Sequence, residues 1–391
     1  LVFFDERLSL VENPYSSSLL SPLFTPLAGK PTNALAGWPA PPTPYRTILG
    51  EAAGNALLWP PPPPPPPLGS LLSAMFSAPL ADKPVNALTG WLPPRPPPQS
   101  PALTGSLVLR IWDVEHGACA MLHHLKNGVA GRLAMIDSGD TADWKPSAFI
   151  RHQLNRSTLE YLFITNADQD HISDLDGLWK NGLKVPVWFR NPSFGVDAVR
   201  KIKEQCGPLT GDAKRYIQNL SGFNSPVSEP FNDYMGGIQS IQFWNPYPQF
   251  TNTNDLSLVV FIKFAGFSIC FPGDLEKAGW LALLKNPAFC RELSMTDILV
   301  ASHHGRENGY CKEVFDFCHP QAVIMSDKAI VHDTQSMAQT YRNEVIKNHP
   351  NGICVATTGK RRHVLTTRRD GFIHFEVDAN GNFVVTTEYA G

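Results

Sequence analysis

Charge is scarce in this sequence, and long apolar runs are missing from it. Only 17% of its 391 residues are charged, and 33 Lys+Arg face 35 Asp+Glu, a formal net charge of −2. A near-neutral chain is no bulk polycation, so any contact with nucleic acid must come from a local basic patch. No apolar run is long enough for a membrane-spanning helix, and none is expected. The first ten residues include Asp5, Glu6 and Arg7 and lack the apolar centre of a signal peptide. The seven cysteines form no C-x-x-C pair, which reads as reduced, mostly buried thiols in a cytoplasmic setting. With 43% hydrophobic residues, the composition excludes a collagen-like, coiled-coil or wholly disordered chain.

Proline is abundant instead, and it divides the chain. Of 36 prolines, 23 lie in residues 1–100, among them the unbroken run Pro60–Pro67. That run has fixed φ and no backbone donors, so it reads as a stiff polyproline II rod about 25 Å long. Residues 1–104 are therefore expected to form a Pro-rich arm and residues 105–391 a folded domain. The arm repeats itself: Pro26-Leu-Ala-Gly-Lys-Pro-Thr-Asn-Ala-Leu-Ala-Gly-Trp38 returns as Pro79-Leu-Ala-Asp-Lys-Pro-Val-Asn-Ala-Leu-Thr-Gly-Trp91, and Asn55-Ala-Leu-Leu-Trp59 is a partial third copy. Each copy offers a leucine and a tryptophan: Leu35 and Trp38, Leu57 and Trp59, Leu88 and Trp91. Such pairs beside proline suit a groove on a partner protein, and linked copies raise avidity. Strapping onto the arm's own domain, or a plain spacer, are the alternatives.

From Leu107 onward, short apolar runs alternate with turns. Leu107–Trp112, Leu133–Ile136, Tyr161–Ile164, Ser257–Phe264, Phe267–Phe271, Ile298–Ala301 and Ala322–Met325 read as buried strands. Lys145–Leu154, Asp197–Cys206, Leu275–Leu284 and Ser336–Lys347 read as helices. Strands interleaved with helices predict a layered α/β or α+β domain large enough for one substantial core.

Three of these strands run into loops rich in ligand-type side chains. Tyr161–Ile164 leads into Asn166-Ala-Asp168-Gln-Asp170-His171, Phe267–Phe271 into Pro272-Gly273-Asp274, and Ile298–Ala301 into Ser302-His303-His304-Gly305. Carboxylate oxygens with imidazole nitrogens suit zinc, manganese or magnesium. Unpaired acids at this density are costly to bury, so the first loop is either solvated or neutralised by a metal.

In its motifs the segment from about Leu107 to Phe375 resembles a metallo-β-lactamase-fold domain, in particular the hydrolase domain of the competence DNA-uptake channel family and its stand-alone relatives. Asp113-Val-Glu-His-Gly117 resembles that family's Asp-Val-Gly-Gln-Gly, and Ile136-Asp137-Ser-Gly139 its Ile-Asp-Thr-Gly turn. Asn166-x-Asp168-x-Asp170-His171 falls on its His-x-His/Asp-x-Asp-His motif. Asn254-Asp-Leu-Ser257-Leu-Val, Pro272-Gly273-Asp274 and Ser302-His303-His304-Gly305 resemble its Asn-x-Ser-Leu-Val, Thr-Gly-Asp and His-His-Gly.

The resemblance implies an α+β fold, an αββα sandwich following the arm, with metals at one edge. It implies that Asp170, His171, Asp274 and His304 (rather than His303) hold one divalent ion, zinc or manganese. Asp274 would bridge to a second, completed by Asp168 and residue 166. Position 166 is Asn where the family has His, which favours one ion, or two of oxygen-loving character, over two zincs. The implied chemistry is hydrolysis of a phosphodiester, DNA first, with Asp170 orienting water and His332 as a second catalytic group. Lys360, Arg361, Arg362, Arg368 and Arg369, read as the two strands of a hairpin, are the expected phosphate contacts. A nuclease docked through its arm would suit a multi-protein system such as antiphage defence in bacteria. A degenerate, non-catalytic scaffold is the alternative.

Overall fold

The computed structural model describes residues 104–205, 207–328 and 336–389. The expected arm, apart from Thr104, lies outside the described residues, and with it Leu35, Trp38, Leu57, Trp59, Leu88 and Trp91. His332 lies outside them too.

Among the described residues, strands build two mixed sheets. The first has nine: β1 (Ser106–Ile111), β2 (Ala120–Lys126), β3 (Val129–Ile136), β4 (Tyr161–Phe163), β5 (Val187–Phe189), β11 (Ile353–Val355), β12 (Lys360–Arg362), β14 (Ile373–Val377) and β15 (Phe383–Thr387), in the order β12-β11-β15-β14-β1-β2-β3-β4-β5. The second has six: β6 (Gln239–Trp244), β7 (Leu258–Phe264), β8 (Phe267–Phe271), β9 (Ile298–Val300), β10 (Ala322–Met325) and β13 (Val364–Thr366), in the order β13-β10-β9-β8-β7-β6. The helices that matter below are α1 (Gln169–Ile172), α2 (Leu175–Lys180), α3 (Val196–Gln205), α4 (Gly211–Gly222), α5 (Lys277–Leu283), α6 (Pro287–Ser294) and α7 (Ala338–Asn348).

The layering follows from side chains alternating across each strand. On β1, Leu107, Leu109 and Ile111 enter one buried cluster with Leu258, Val260 and Ile262 of β7 and with Phe267, Ile269 and Phe271 of β8. That cluster lies between the sheets. The alternate residues of the first sheet, among them Met121, Leu133, Met135 and Leu162, pack instead on Leu175 and Leu178 of α2, Val199 of α3 and Tyr216, Ile217 and Leu220 of α4. The alternate residues of the second sheet, Val259, Phe261, Cys270, Leu299 and Val323, pack on Trp280 and Leu283 of α5, Phe289 and Leu293 of α6 and Tyr341 and Val345 of α7. Strands apolar on both faces must be covered on both faces. Three clusters thus separate four layers, helix–sheet–sheet–helix, consistent with an αββα sandwich.

Each strand expected from the sequence is present to within a few residues. The segment 145–154 is a short helix, Pro146–Ala148, continued by a π-helical turn, Phe149–Gln153. One expectation is corrected. Residues 360–369 form no hairpin: β12 pairs with β11 in the first sheet, whereas β13 runs parallel to β10 in the second. Lys360–Arg362 has no apolar side chain to bury, while Leu365 of β13 is fully buried. The described cysteines are free thiols, four of them buried. No described helix is long and apolar enough to cross a membrane.

Candidate metal centre

Five loops at one end of the sandwich are stitched together, mostly by their backbones. Ser138 N–H donates to the His171 carbonyl (2.8 Å), Ala118 N–H to that of Asp170 (3.3 Å), and Gly139 N–H to that of Ala118 (2.9 Å). Gly139 has no room for a side chain, since a Cβ would lie 2.7 Å from the carbonyl oxygens of Ala118 and Asp170. On the other sheet, Ser302 Oγ donates to the Leu275 carbonyl (2.5 Å) and His303 N–H to that of Gly273 (3.1 Å). These bonds draw together the ends of β3 and β4 on one sheet and of β8 and β9 on the other.

The side chains they deliver converge. Ligand-type atoms of Asp170, His171, Asp274 and His304 all lie within 4.8 Å of one another. His171 Nε2 is 2.9 Å from Asp274 Oδ1; His304 Nε2 is 3.3 Å from Asp170 Oδ2 and 3.5 Å from Asp274 Oδ1. The other nitrogen of each ring is held by the protein. His171 Nδ1 meets Asp137 Oδ2 at 2.9 Å, and His304 Nδ1 meets the Ser326 carbonyl at 3.0 Å. Asp137, at positive φ, is itself fixed by Thr165, whose N–H (2.7 Å) and hydroxyl (2.5 Å) donate to its two oxygens. A carboxylate or carbonyl behind Nδ1 of each imidazole turns Nε2 toward the cluster, the nitrogen that would bind a metal once deprotonated.

The carboxylates and imidazoles of the cluster shift one another's titration. Burial alone would raise the pKa of Asp274, but the imidazoles of His171 and His304 win, and it stays well below the usual carboxylate range. Asp170 is likewise held low against its burial by His304 and His171. Burial opposes the charging of His171 and His304, yet the facing carboxylates raise both. His304 Nε2 is buried and faces Asp170 Oδ2 at 3.3 Å without a well-aligned hydrogen bond. Two carboxylates and two imidazoles, one with an unsatisfied buried nitrogen, form a donor set that fits a divalent ion of the zinc or manganese type.

The remaining expected residues sit elsewhere. Asp168 faces Lys203 of α3, whose ammonium bonds Oδ1, and accepts from Thr253 Oγ1 at Oδ2 (2.7 Å). Asn166 is buried; its amide donates to Asn254 Oδ1 (3.0 Å) and its oxygen accepts from Asp168 N–H (3.1 Å). Asp168 is not among the four clustered residues, and Asn166 spends its amide on these two bonds. His303 lies at its edge, 3.8 Å from Asp274 Oδ2 and 3.6 Å from Glu276 Oε1. Of the basic residues, Arg362 is paired with Asp370 (3.0 Å) and Arg368 with Asp327 (2.7 Å); Arg361 donates to the Gly352 carbonyl, and Lys360 and Arg369 are exposed.

In the sequence, Asp137 and His116 stand out only as parts of motifs. The signal for Asp137 was present: an acid between a buried strand and a close-packed Ser-Gly turn has a buried partner to meet. Nothing local marked Lys203, which reaches Asp168 only through the packing of α3.

No family model and no curated protein matches the chain. Among solved structures it is similar to a diphosphatase from the PhnP family, at 11% identity and a TM-score of 0.36, over 70% of this chain and 98% of that one. It is also similar to CmlA, a diiron β-hydroxylase from Streptomyces venezuelae, at 13% identity and a TM-score of 0.36, over 71% of this chain and 55% of the other, so the match spans little more than half of that enzyme. Likeness at this level assigns no function to the chain.

Proposed function

We propose that the chain is a metal-dependent hydrolase acting on phosphodiesters, DNA first among them. In this reading Asp170, His171, Asp274 and His304 hold a single divalent ion, manganese or zinc. The observation that supports it is the meeting of these four side chains, from three separated loops, within 4.8 Å. An ion bound there supplies a Lewis acid and lowers the pKa of water toward neutrality. The protein's own groups set the geometry: Asp137 and the Ser326 carbonyl aim the two imidazoles, and Ser257 Oγ accepts from the Asp274 N–H (3.1 Å). Asp170 marks the open side. Its side chain is 22% exposed, against 4% or less for His171, Asp274 and His304, so it is the carboxylate placed to orient an attacking water. The positions expected for a second ion are engaged, because Lys203 brings its own positive charge to Asp168. To the Trp-bearing arm we ascribe docking on a protein partner.

The test is hydrolysis of bis(4-nitrophenyl) phosphate and of single- and double-stranded DNA by the full chain supplied with manganese or zinc. The expected result is turnover abolished by EDTA and lowered about 100-fold or more in Asp170→Ala. Turnover that survives both treatments overturns the reading. Bound metal without turnover favours the non-catalytic scaffold, in keeping with an Asn at position 166.

A further inference from the structure

We propose that Arg306, braced by His116, forms an anion clamp at the open mouth of the His/Asp cluster and receives a phosphoryl oxygen of the substrate. This inference deepens the hydrolase reading and rests on it.

The backbone puts Arg306 there. His303, His304 and Gly305 all have positive φ (51°, 55° and 75°). Glycine suits the third position, where φ is positive and a Cβ would press on the buried Met325 side chain, 2.1 Å from its Cε. This left-handed run curls the chain so that His304 enters the cluster and Arg306, extended again, emerges beside it. Arg306 Nη2 donates to His116 Nε2 at 3.0 Å. His116 comes from the loop between β1 and β2. Its Nε2 lies 3.3 Å from Asp170 Oδ2, and its ring sits 4.7 Å from that of His304. The guanidinium is thus one side chain away from the exposed edge of the cluster.

Its chemistry is unspent. A guanidinium has five N–H donors, and His116 takes one. A ring nitrogen that accepts a hydrogen bond belongs to a neutral imidazole, so His116 provides support without a counter-charge. Among the described residues no carboxylate lies within 4.0 Å of Arg306, whereas Arg156, Arg215, Arg362 and Arg368 each pair with an acid. Arg306 and His116 are both partly exposed, and the exposed Lys328 adds to the positive field at His116. A planar fork of free donors one side chain from a site for a divalent ion matches the tetrahedral oxygens of a phosphoryl group, which guanidinium binds in bidentate fashion. Of the residues first expected to bind phosphate, Arg362 and Arg368 are poorer candidates, since they already have acidic partners.

The experiment titrates inorganic phosphate into the manganese-loaded full chain by calorimetry, with metal content measured in parallel, for wild type, Arg306→Ala, Arg306→Gln and Arg306→Lys. The clamp requires phosphate affinity to fall about tenfold or more in Arg306→Ala and Arg306→Gln at unchanged metal content, with partial recovery in Arg306→Lys. In phosphodiester turnover the same variants should raise KM. The glutamine variant keeps the size of the side chain should alanine disturb the loop. Metal bound normally with phosphate affinity indifferent to Arg306, or a wild type that ignores phosphate, overturns the clamp alone. Arg306-dependent phosphate binding by a chain that takes up no metal overturns the hydrolase reading and leaves the clamp standing.

Discussion

Asp137 decides whether two histidine nitrogens or one are available at the cluster. Its carboxylate fixes His171 from behind while Thr165 fixes the carboxylate. Asp137→Asn keeps the shape but weakens the acceptor, and should lower metal affinity about 10- to 100-fold with the fold intact. Competition with a chelating dye measures this. Asp327 makes a different prediction. Burial raises its pKa to about 6 despite the nearby Arg368 guanidinium. An acid whose pKa is higher folded than unfolded favours the folded state while protonated, so its contribution is present below about pH 4 and is lost as pH rises to about 6. The ceiling on that loss is about 3 kcal/mol. Urea unfolding of the metal-free chain at pH 4.5 and pH 7 should show a smaller pH dependence in Asp327→Asn than in wild type.

Elements differ in how far their residues announce them. The strands β7 and β8 carry unbroken apolar runs, Leu258–Phe264 and Phe267–Phe271, and a run that is buried on both faces can be read without its neighbours. By contrast β12 is Lys-Arg-Arg and pairs with β11, a contact set by the chain around it. That is why residues 360–369 look like one hairpin and belong to two sheets. The ligand loops were legible because each follows a legible strand. The contacts that redirect Asp168 and Asn166 come from α3 and from residues 253–254, remote in sequence, and no spacing encodes them. The tight loop crossing makes its own prediction. Gly139→Ala places a methyl against two backbone carbonyls that cannot rotate away, so it should cost about 1–3 kcal/mol and shift the Asp170 loop. Denaturant unfolding gives the first quantity, and a parallel loss of metal affinity reports the second.

The whole molecule holds the cluster in place through the core between its sheets. Phe267, fully buried, packs near Phe375 and Phe383 across that core (ring centroids 6.2 and 5.2 Å) and joins β8 to the opposite sheet. Phe267→Ala should destabilise the domain by about 3–5 kcal/mol in chemical unfolding, at a distance from the ligands. Any accompanying loss of metal would then reflect the sheets parting, because β8 leads directly to Asp274. The decisive quantity is metal per chain. Mass spectrometry of the full chain, loaded with manganese or zinc and then desalted, should find about one ion in wild type. It should find almost none in His304→Ala or Asp274→Ala. A wild type that emerges empty, or variants that keep the ion, would contradict a metal centre made of Asp170, His171, Asp274 and His304.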